Sequence, residues 1–390
     1  MLDSVRSEEE VALRCVREHL GTDTRNSVES SLDRDIDWDR FDRIVYNHHV
    51  RPLVYRVLLD GHTEFVPADV LDRWRSYVRQ NAKRNLYLTG ELATLLGEFD
   101  DRAIPALPFK GPVLAATAYG AIPLREFVDL DLIIGEDDFE RVKSVLLNRG
   151  YEVQYQLATE EEVTRTQENL ILKFGRECEF RRDSDQVPVD LHWRFLPRRS
   201  SFPMSVDDVR VRHESVTVAG STLPTLSVED TLLLLGVHGT RHCWRHLRET
   251  CDLAALVKKR RIDWQTAVDR ATDLGCRRRL GIGLQLTRRL FDVEVPEHVV
   301  NRIVQTDPEI PTLVQGAYER LFGPKSKSDS GRMRYKYAAH ERWQDRLSFL
   351  LYWGFYPDRK EIEWIALPDR LSRLYHVLRP MRLLKEGYDR

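Results

Sequence analysis

The segment FVDLDLII, residues 127–134, sets two carboxylates, Asp129 and Asp131, one residue apart in a run with the apolar texture of a buried strand. Aspartate is a poor strand former, and a carboxylate taken out of water must be paired or must coordinate a cation. Strand side chains alternate between faces, so Asp129 and Asp131 share one face about 6–7 Å apart. The segment VPVDLHWRF (187–195) repeats the pattern, with Asp190, His192 and Arg194 on one face and Val189, Leu191, Trp193 and Phe195 on the other. Carboxylates grouped in this way can hold divalent cations, since Mg²⁺ takes carboxylate and phosphate oxygens. Two such ions about 3.5–4 Å apart can activate an attacking hydroxyl and stabilise a leaving pyrophosphate.

A phosphate partner for those cations is suggested by LPFKGPVLAATAYG (107–120). The apolar stretch 104–109 is read as a short strand that ends at Lys110-Gly111. Pro112 falls in the first turn of a helix that runs to Gly120, with proline just inside the start and glycine just past the end. The N-terminus of such a helix offers unpaired N–H groups and the positive end of its dipole to phosphate. With Lys110 beside it and Arg125 in the following loop, a nucleoside triphosphate bound through Mg²⁺ or Mn²⁺ is the expected ligand.

These residues need a scaffold. Residues 1–100 read as helices, opened by SEEEVALRCVREHL and punctuated by Pro and Gly. From 101 to 226 the texture is α+β. EDDFERVKSVLLNRG (136–150) carries helical spacing, with Phe139, Val142 and Leu146 on one side and Gly150 as the stop. YEVQYQL (151–157), NLILKFG (169–175), ECEFRRD (177–183) and VPVDLHWRF read as strands, and SVTVAGSTLPTL (215–226) as a hairpin. From Ser227, where SVED is a near capping box, residues 227–390 read as helices again. The one loose interruption is FGPKSKSDSGRMR (322–334).

Composition narrows the function classes. The chain has 390 residues, 42% hydrophobic and 31% charged, with a formal net charge of −2, so no global field draws it to nucleic acid or anionic lipid. Five scattered cysteines without a C-x-x-C pair argue against a disulfide framework and for a reducing compartment. The N-terminal stretch is charged and has no apolar core of signal-peptide length, and FLLYWGFY (349–356) is too short to span a bilayer. A cytoplasmic protein with no membrane partner is expected.

LPFKGPVLAATAYGAIPLREFVDLDLII, GYEV, VPVDLHWRF and LSVEDTLLLLGVHGTRHCW together resemble the polymerase-β-type nucleotidyltransferase superfamily. The closest likeness is to its uncharacterised nucleotidyltransferase-like subgroup with a K-G element. The resemblance implies an α+β fold, a mixed-sheet nucleotidyltransferase core between helical regions. It also implies Mg²⁺-dependent transfer of an NMP from an NTP to an acceptor hydroxyl on a small molecule, protein or RNA. In that superfamily a G-S or G-G pair opens the helix, D-x-D follows, and a third carboxylate stands on a later strand. Gly111 matches the helix-opening glycine, Asp129 and Asp131 the D-x-D, and Asp190 the third carboxylate, which can also serve as general base. Lys110-Gly111-Pro112 replaces G-S, so the phosphate-facing serine is missing and Lys110 or Arg125 must stand in for it.

His238, His242 and His246 are spaced by four in HGTRHCWRH, beside Arg241, Arg245 and Arg248. No acidic partner of the H-E-x-x-H kind accompanies them, which argues against zinc. The subgroup has a histidine at the place of His238, which implies that His238 and Arg241, with Arg245, contact phosphate or acceptor; a polar stripe packing against the α+β unit is the other reading. His192, beside Asp190, is placed with the nucleotide-binding residues, and a solvent-facing edge position is its alternative. Two other readings stay open: a nucleotide-binding module without transfer activity, given the missing serine, and an RNA-binding protein. The second would use VKKRR (257–261) and PKSKSDSGRMRYK (324–336), although such runs are usually solvated faces or loops.

Overall fold

The computed structural model describes residues 7–155, 163–197, 202–323, 329–365 and 367–388. It is mixed α+β, with helical regions before and after a mixed five-stranded sheet. Along the chain the texture changes near 100 and 226. In space the chain divides into two compact units whose segments interleave. The first comprises residues 1–93, 110–128 and 213–341, and the second residues 94–109, 129–212 and 342–390.

The second unit holds the sheet. Its strands are β1 (Ala106–Pro108), β2 (Leu130–Ile134), β3 (Tyr151–Gln154), β4 (Glu177–Arg182) and β5 (Pro188–His192), in the spatial order β1-β2-β5-β4-β3. β2 and β5 are parallel, while β1 on β2, β4 on β5 and β3 on β4 are antiparallel. Alternation sorts the side chains of these strands into two sets. Leu130, Leu132 and Ile134 of β2, Val189 and Leu191 of β5, and Cys178 and Phe180 of β4 fill the core on one face. The other face carries Asp131, Asp190, His192, Glu177 and Glu179. A sheet that buries apolar residues on one side gains about 1.5–3 kcal/mol per large side chain, enough to impose the register that brings the acids together.

Two local readings of the sequence are corrected here. NLILKF (169–174) lies within a helix, Arg165–Phe174, with Gly175 as its C-cap, rather than in a strand. Thr164 and Gln167 close a capping box on it, and Leu170, Ile171 and Phe174 recur at helical spacing. They pack into a cluster with Tyr356, Ile362 and Tyr375 from the C-terminal helices of the same unit. In the second case β5 stops at His192, so Arg194 is not part of its polar face. The Arg194 guanidinium instead donates to Gly175 O at 2.8 Å and to Glu136. The strand expected over YEVQYQL is present as Tyr151–Gln154, and residues 156–157 lie outside the described residues.

The first unit is built from helices, with the hairpin β6 (Glu214–Val218) and β7 (Ser221–Thr225). Ser227 caps the helix Val228–Arg241 by accepting from the Asp230 N–H at 3.1 Å. Asp230 does not complete the capping box. Its carboxylate takes two donors from Arg270, at 2.9 and 2.6 Å, and is fully buried. The expected basic run 324–336 is split. Residues 324–328 lie outside the described residues, and the rest enters the helix Asp329–Ala338, where Tyr335 is buried with the Arg320 guanidinium 4.4 Å from its ring centroid. That aromatic is consumed in packing and offers no face to a base. All five cysteines are buried free thiols. No helix among the described residues is long and apolar enough to cross a membrane.

Candidate metal and nucleotide site

On the acid-bearing face of the sheet, Asp131 of β2 stands in direct register with Asp190 of β5, and Asp190 with Glu179 of β4. Parallel pairing of β2 and β5 is what places the two aspartates side by side. His192, two residues along β5, joins them, so that one ligand atom from each of Asp131, Asp190 and His192 lies within 4.8 Å of the others. Asp129 immediately precedes β2, and its charge reaches Asp190. Burial raises the Asp190 carboxyl to about 8, helped by the negative charges of Asp131, Asp129, Glu177 and Glu179. Arg181 pairs with Glu179 at 2.6 Å and Arg176 with Glu177, so the carboxyl groups whose mutual repulsion a divalent cation would relieve are Asp131 and Asp190.

His192 is 3% exposed and Asp131 7%. Its Nε2 lies 3.3 Å from Asp131 Oδ1 and its Nδ1 3.1 Å from Glu177 Oε2, yet neither approach has the alignment of a hydrogen bond. Burial lowers its pKa, against the opposing pull of Asp131 and Glu177, which favours a neutral ring. Phe109 packs edge-on against that ring at 5.0 Å between centroids. Two buried nitrogens without aligned partners, among carboxylates, fit a site made to bind a divalent cation.

Glu177 and Glu179 join this face as residues that the sequence by itself does not mark. The E-x-E alternation in ECEFRRD was the available signal, and its meaning depended on β4 lying next to β5.

The nucleotide side of the reading falls in the first unit. Phe109 donates its N–H to Asp131 O at 3.3 Å, and Lys110 is the next residue along the chain. Gly111 opens the short helix Gly111–Leu114 with φ +52°, a left-handed conformation that costs a residue with a β-carbon about 1–2 kcal/mol. Within this unit the rings of His238 and His242 pack at 4.4 Å between centroids, with their planes tilted by 45°. Burial, followed by the charges of Lys110, His242, Arg241 and Arg248, drives the His238 pKa well down. His242 is lowered to about 3 by burial, then by Arg241, Lys110, Arg245 and Lys336. Burial is the larger cause of both shifts, and the neighbouring Lys110, Arg241, Arg245 and Arg248 add to it, so the two imidazoles are neutral and basic side chains are grouped around them.

The three-histidine stripe ends early. The helix Val228–Arg241 stops with His242 as its C-cap, and Cys243 and Trp244 both have positive φ, 58° and 53°. The cause is Trp244, whose ring folds back over Gly239. A Cβ on Gly239 would meet it at 2.5 Å. His246 therefore leaves the stripe. It occupies the N-cap position of the helix Leu247–Lys259 without a side-chain capping bond, and its Nδ1 lies 2.7 Å from Asn47 O.

Arg125 is occupied elsewhere. Its Nε and Nη2 donate to the two oxygens of Asp252 at 2.8 and 3.0 Å, and Tyr119 donates to the same carboxylate at 2.7 Å. Both members of the pair are buried. Arg125→Ala is thus expected to destabilise the protein by about 3–5 kcal/mol, the cost of leaving a buried charge unpaired. Urea unfolding measures it. An unchanged midpoint would make this pair dispensable for the fold.

Residues 34–292 match the family described as "Uncharacterised nucleotidyltransferase". The match covers well over half of the chain, which therefore belongs to this nucleotidyltransferase family. No curated protein matches the chain.

Proposed function

We propose that this protein transfers a nucleoside monophosphate from an NTP to an acceptor hydroxyl. The observation that carries the reading is the Asp131–Asp190 register pair on adjacent parallel strands, in a chain of a nucleotidyltransferase family. Asp129, Asp131 and Asp190 would hold divalent cations, Mg²⁺ or Mn²⁺. When bound, such ions neutralise triphosphate charge and make a hydroxyl easier to deprotonate. Asp190 receives the acceptor proton as general base. The acceptor oxygen bonds to the α-phosphorus, and the bond from that phosphorus to the bridging oxygen breaks, releasing pyrophosphate. Lys110, Gly111, His238 and Arg241 are assigned to the nucleotide on their chemistry and on the family resemblance. Arg125 serves that side by positioning its loop through Asp252. The five buried thiols suit the reducing, NTP-rich cytoplasm in which we place the reaction.

The test is a screen of α-labelled NTPs with cell extract and divalent metal. Label is expected to appear in an acceptor from the α-position and not from the γ-position. NTP binding without label transfer in any extract would instead support a silent nucleotide-binding module. A companion test concerns Lys110. Its ammonium takes the place of the missing serine, so Lys110→Ala is expected to weaken binding of a non-hydrolysable NTP by about 1.5–3 kcal/mol, the scale of a charge-assisted hydrogen bond. Affinity for the bare nucleoside should hardly change, and Lys110→Arg should rescue only in part. Calorimetric titration reads all three, and an unchanged NTP affinity in Lys110→Ala would remove Lys110 from the site.

A further inference from the structure

We propose that His192 is itself a metal ligand through Nε2, beside Asp131 and Asp190, and that this nitrogen gives the site a preference for Mn²⁺ over Mg²⁺. The inference rests on the metal-dependent reading above and adds the identity of the ligand set. Three observations support it. The ligand atoms of Asp131, Asp190 and His192 lie within 4.8 Å of one another, compact enough for one ion to touch all three after small side-chain rotations. Both ring nitrogens of His192 are buried without an aligned hydrogen bond, although each has a carboxylate oxygen within 3.3 Å. A ring serving only the fold would be expected to satisfy at least one nitrogen in so polar a place. The third observation is Glu177, whose Oε2 sits 3.1 Å from Nδ1. A small rotation of the ring towards a metal would let Glu177 accept the Nδ1 proton, as the carboxylate companion of a ligating histidine usually does, and leave the Nε2 lone pair for the ion.

The chemistry then selects the ion. Mg²⁺ demands oxygen ligands and keeps much of its water, so one imidazole in place of an oxygen weakens it. First-row transition dications accept nitrogen more readily, and Mn²⁺ does so while still favouring carboxylates and octahedral geometry. A site of two aspartates and one histidine suits Mn²⁺ better than an all-carboxylate site would.

The experiment uses the full chain stripped of metal with a chelator and then titrated with Mn²⁺, the free aqueous ion being followed by electron paramagnetic resonance. Mg²⁺ is added as competitor. Wild type is expected to bind Mn²⁺ at least about tenfold more tightly than Mg²⁺. The Mn²⁺-loaded protein should show ¹⁴N modulation in its electron spin echo, a signature of a directly bound imidazole. His192→Asp should abolish that modulation and collapse the Mn²⁺/Mg²⁺ affinity ratio toward one, while still binding metal. His192→Ala should lose about 10–100-fold in Mn²⁺ affinity and less in Mg²⁺ affinity. The wild-type spin echo needs no variant, so misfolding of either substitution would not spare the inference. Tight Mn²⁺ binding without ¹⁴N modulation would overturn the ligand assignment and leave the carboxylate reading standing. Failure of wild type to bind either ion would overturn both.

Discussion

Asp190→Asn is expected to lower nucleotidyl transfer by about 10²–10⁴-fold, the range over which a positioned general base acts, with loss of a metal ligand adding to it. The substitution keeps the shape of the side chain, and β5 keeps its register with β2 and β4 because Val189 and Leu191 hold it from the core face. It also removes a carboxyl that the folded protein keeps only by taking up a proton, because burial and the charges of Asp131, Asp129, Glu177 and Glu179 disfavour its ionised form. The inactive variant should therefore be at least as stable as wild type in the absence of metal. Single-turnover assays with α-labelled NTP and thermal melts of the chelated protein measure the two halves. A variant that is inactive because it unfolds would make Asp190 a structural residue and remove it from the chemistry.

The second large effect is a pH-dependent stabilisation by metal. With its carboxyl raised to about 8, folded Asp190 holds a proton that the unfolded chain releases near the ordinary aspartate value of 3.8. Between those limits the folded state binds more protons, so this group's contribution to stability falls as pH rises and is fully lost above about pH 8. His192 has the opposite sign, because its folded pKa lies below 6.5, but its contribution is already complete above pH 7. Glu249 in the first unit, raised to about 8 by burial, adds a slope of the same sign as Asp190. Subtracting the profile of Asp190→Asn isolates the Asp190 share. A divalent cation competes with the Asp190 proton, so its affinity and its stabilisation grow over the same window. At a hundredfold excess over Kd the stabilisation is about 2.7 kcal/mol. Melting temperatures of chelated and Mn²⁺-loaded protein should accordingly diverge from pH 7 to pH 8.5, and much less in Asp190→Asn. A gap independent of pH, or equal in both proteins, would show that the ion binds elsewhere.

From the sequence alone, much of the sheet and the identity of its acids can be read. Alternation in VPVDLHW puts Asp190 and His192 opposite Val189 and Leu191 because a strand has a period of two, and the structure keeps that division. The hairpin at 214–225 and the cap at Ser227 follow from equally local rules. Where local signals conflict, reading fails. NLILKFG has apolar residues dense enough for a strand, and only the Thr164 cap and the burial of Leu170, Ile171 and Phe174 against Tyr356, Ile362 and Tyr375 decide for a helix. The histidine stripe fails for a different reason, since helical spacing carries no warning that Trp244 will fold back onto Gly239 and end the helix.

The sequence by itself determined which residues can bind metal and phosphate, because residue type and alternation are local properties. Only the tertiary structure decided which of them meet. The parallel pairing of β2 with β5 sets Asp131 against Asp190, and the antiparallel β4 brings Glu177 and Glu179 to the same face. Asp252, more than a hundred residues along the chain, claims Arg125 in a buried ion pair. Each of these is a pairing between distant segments, chosen by the burial of apolar faces that no single segment can complete alone.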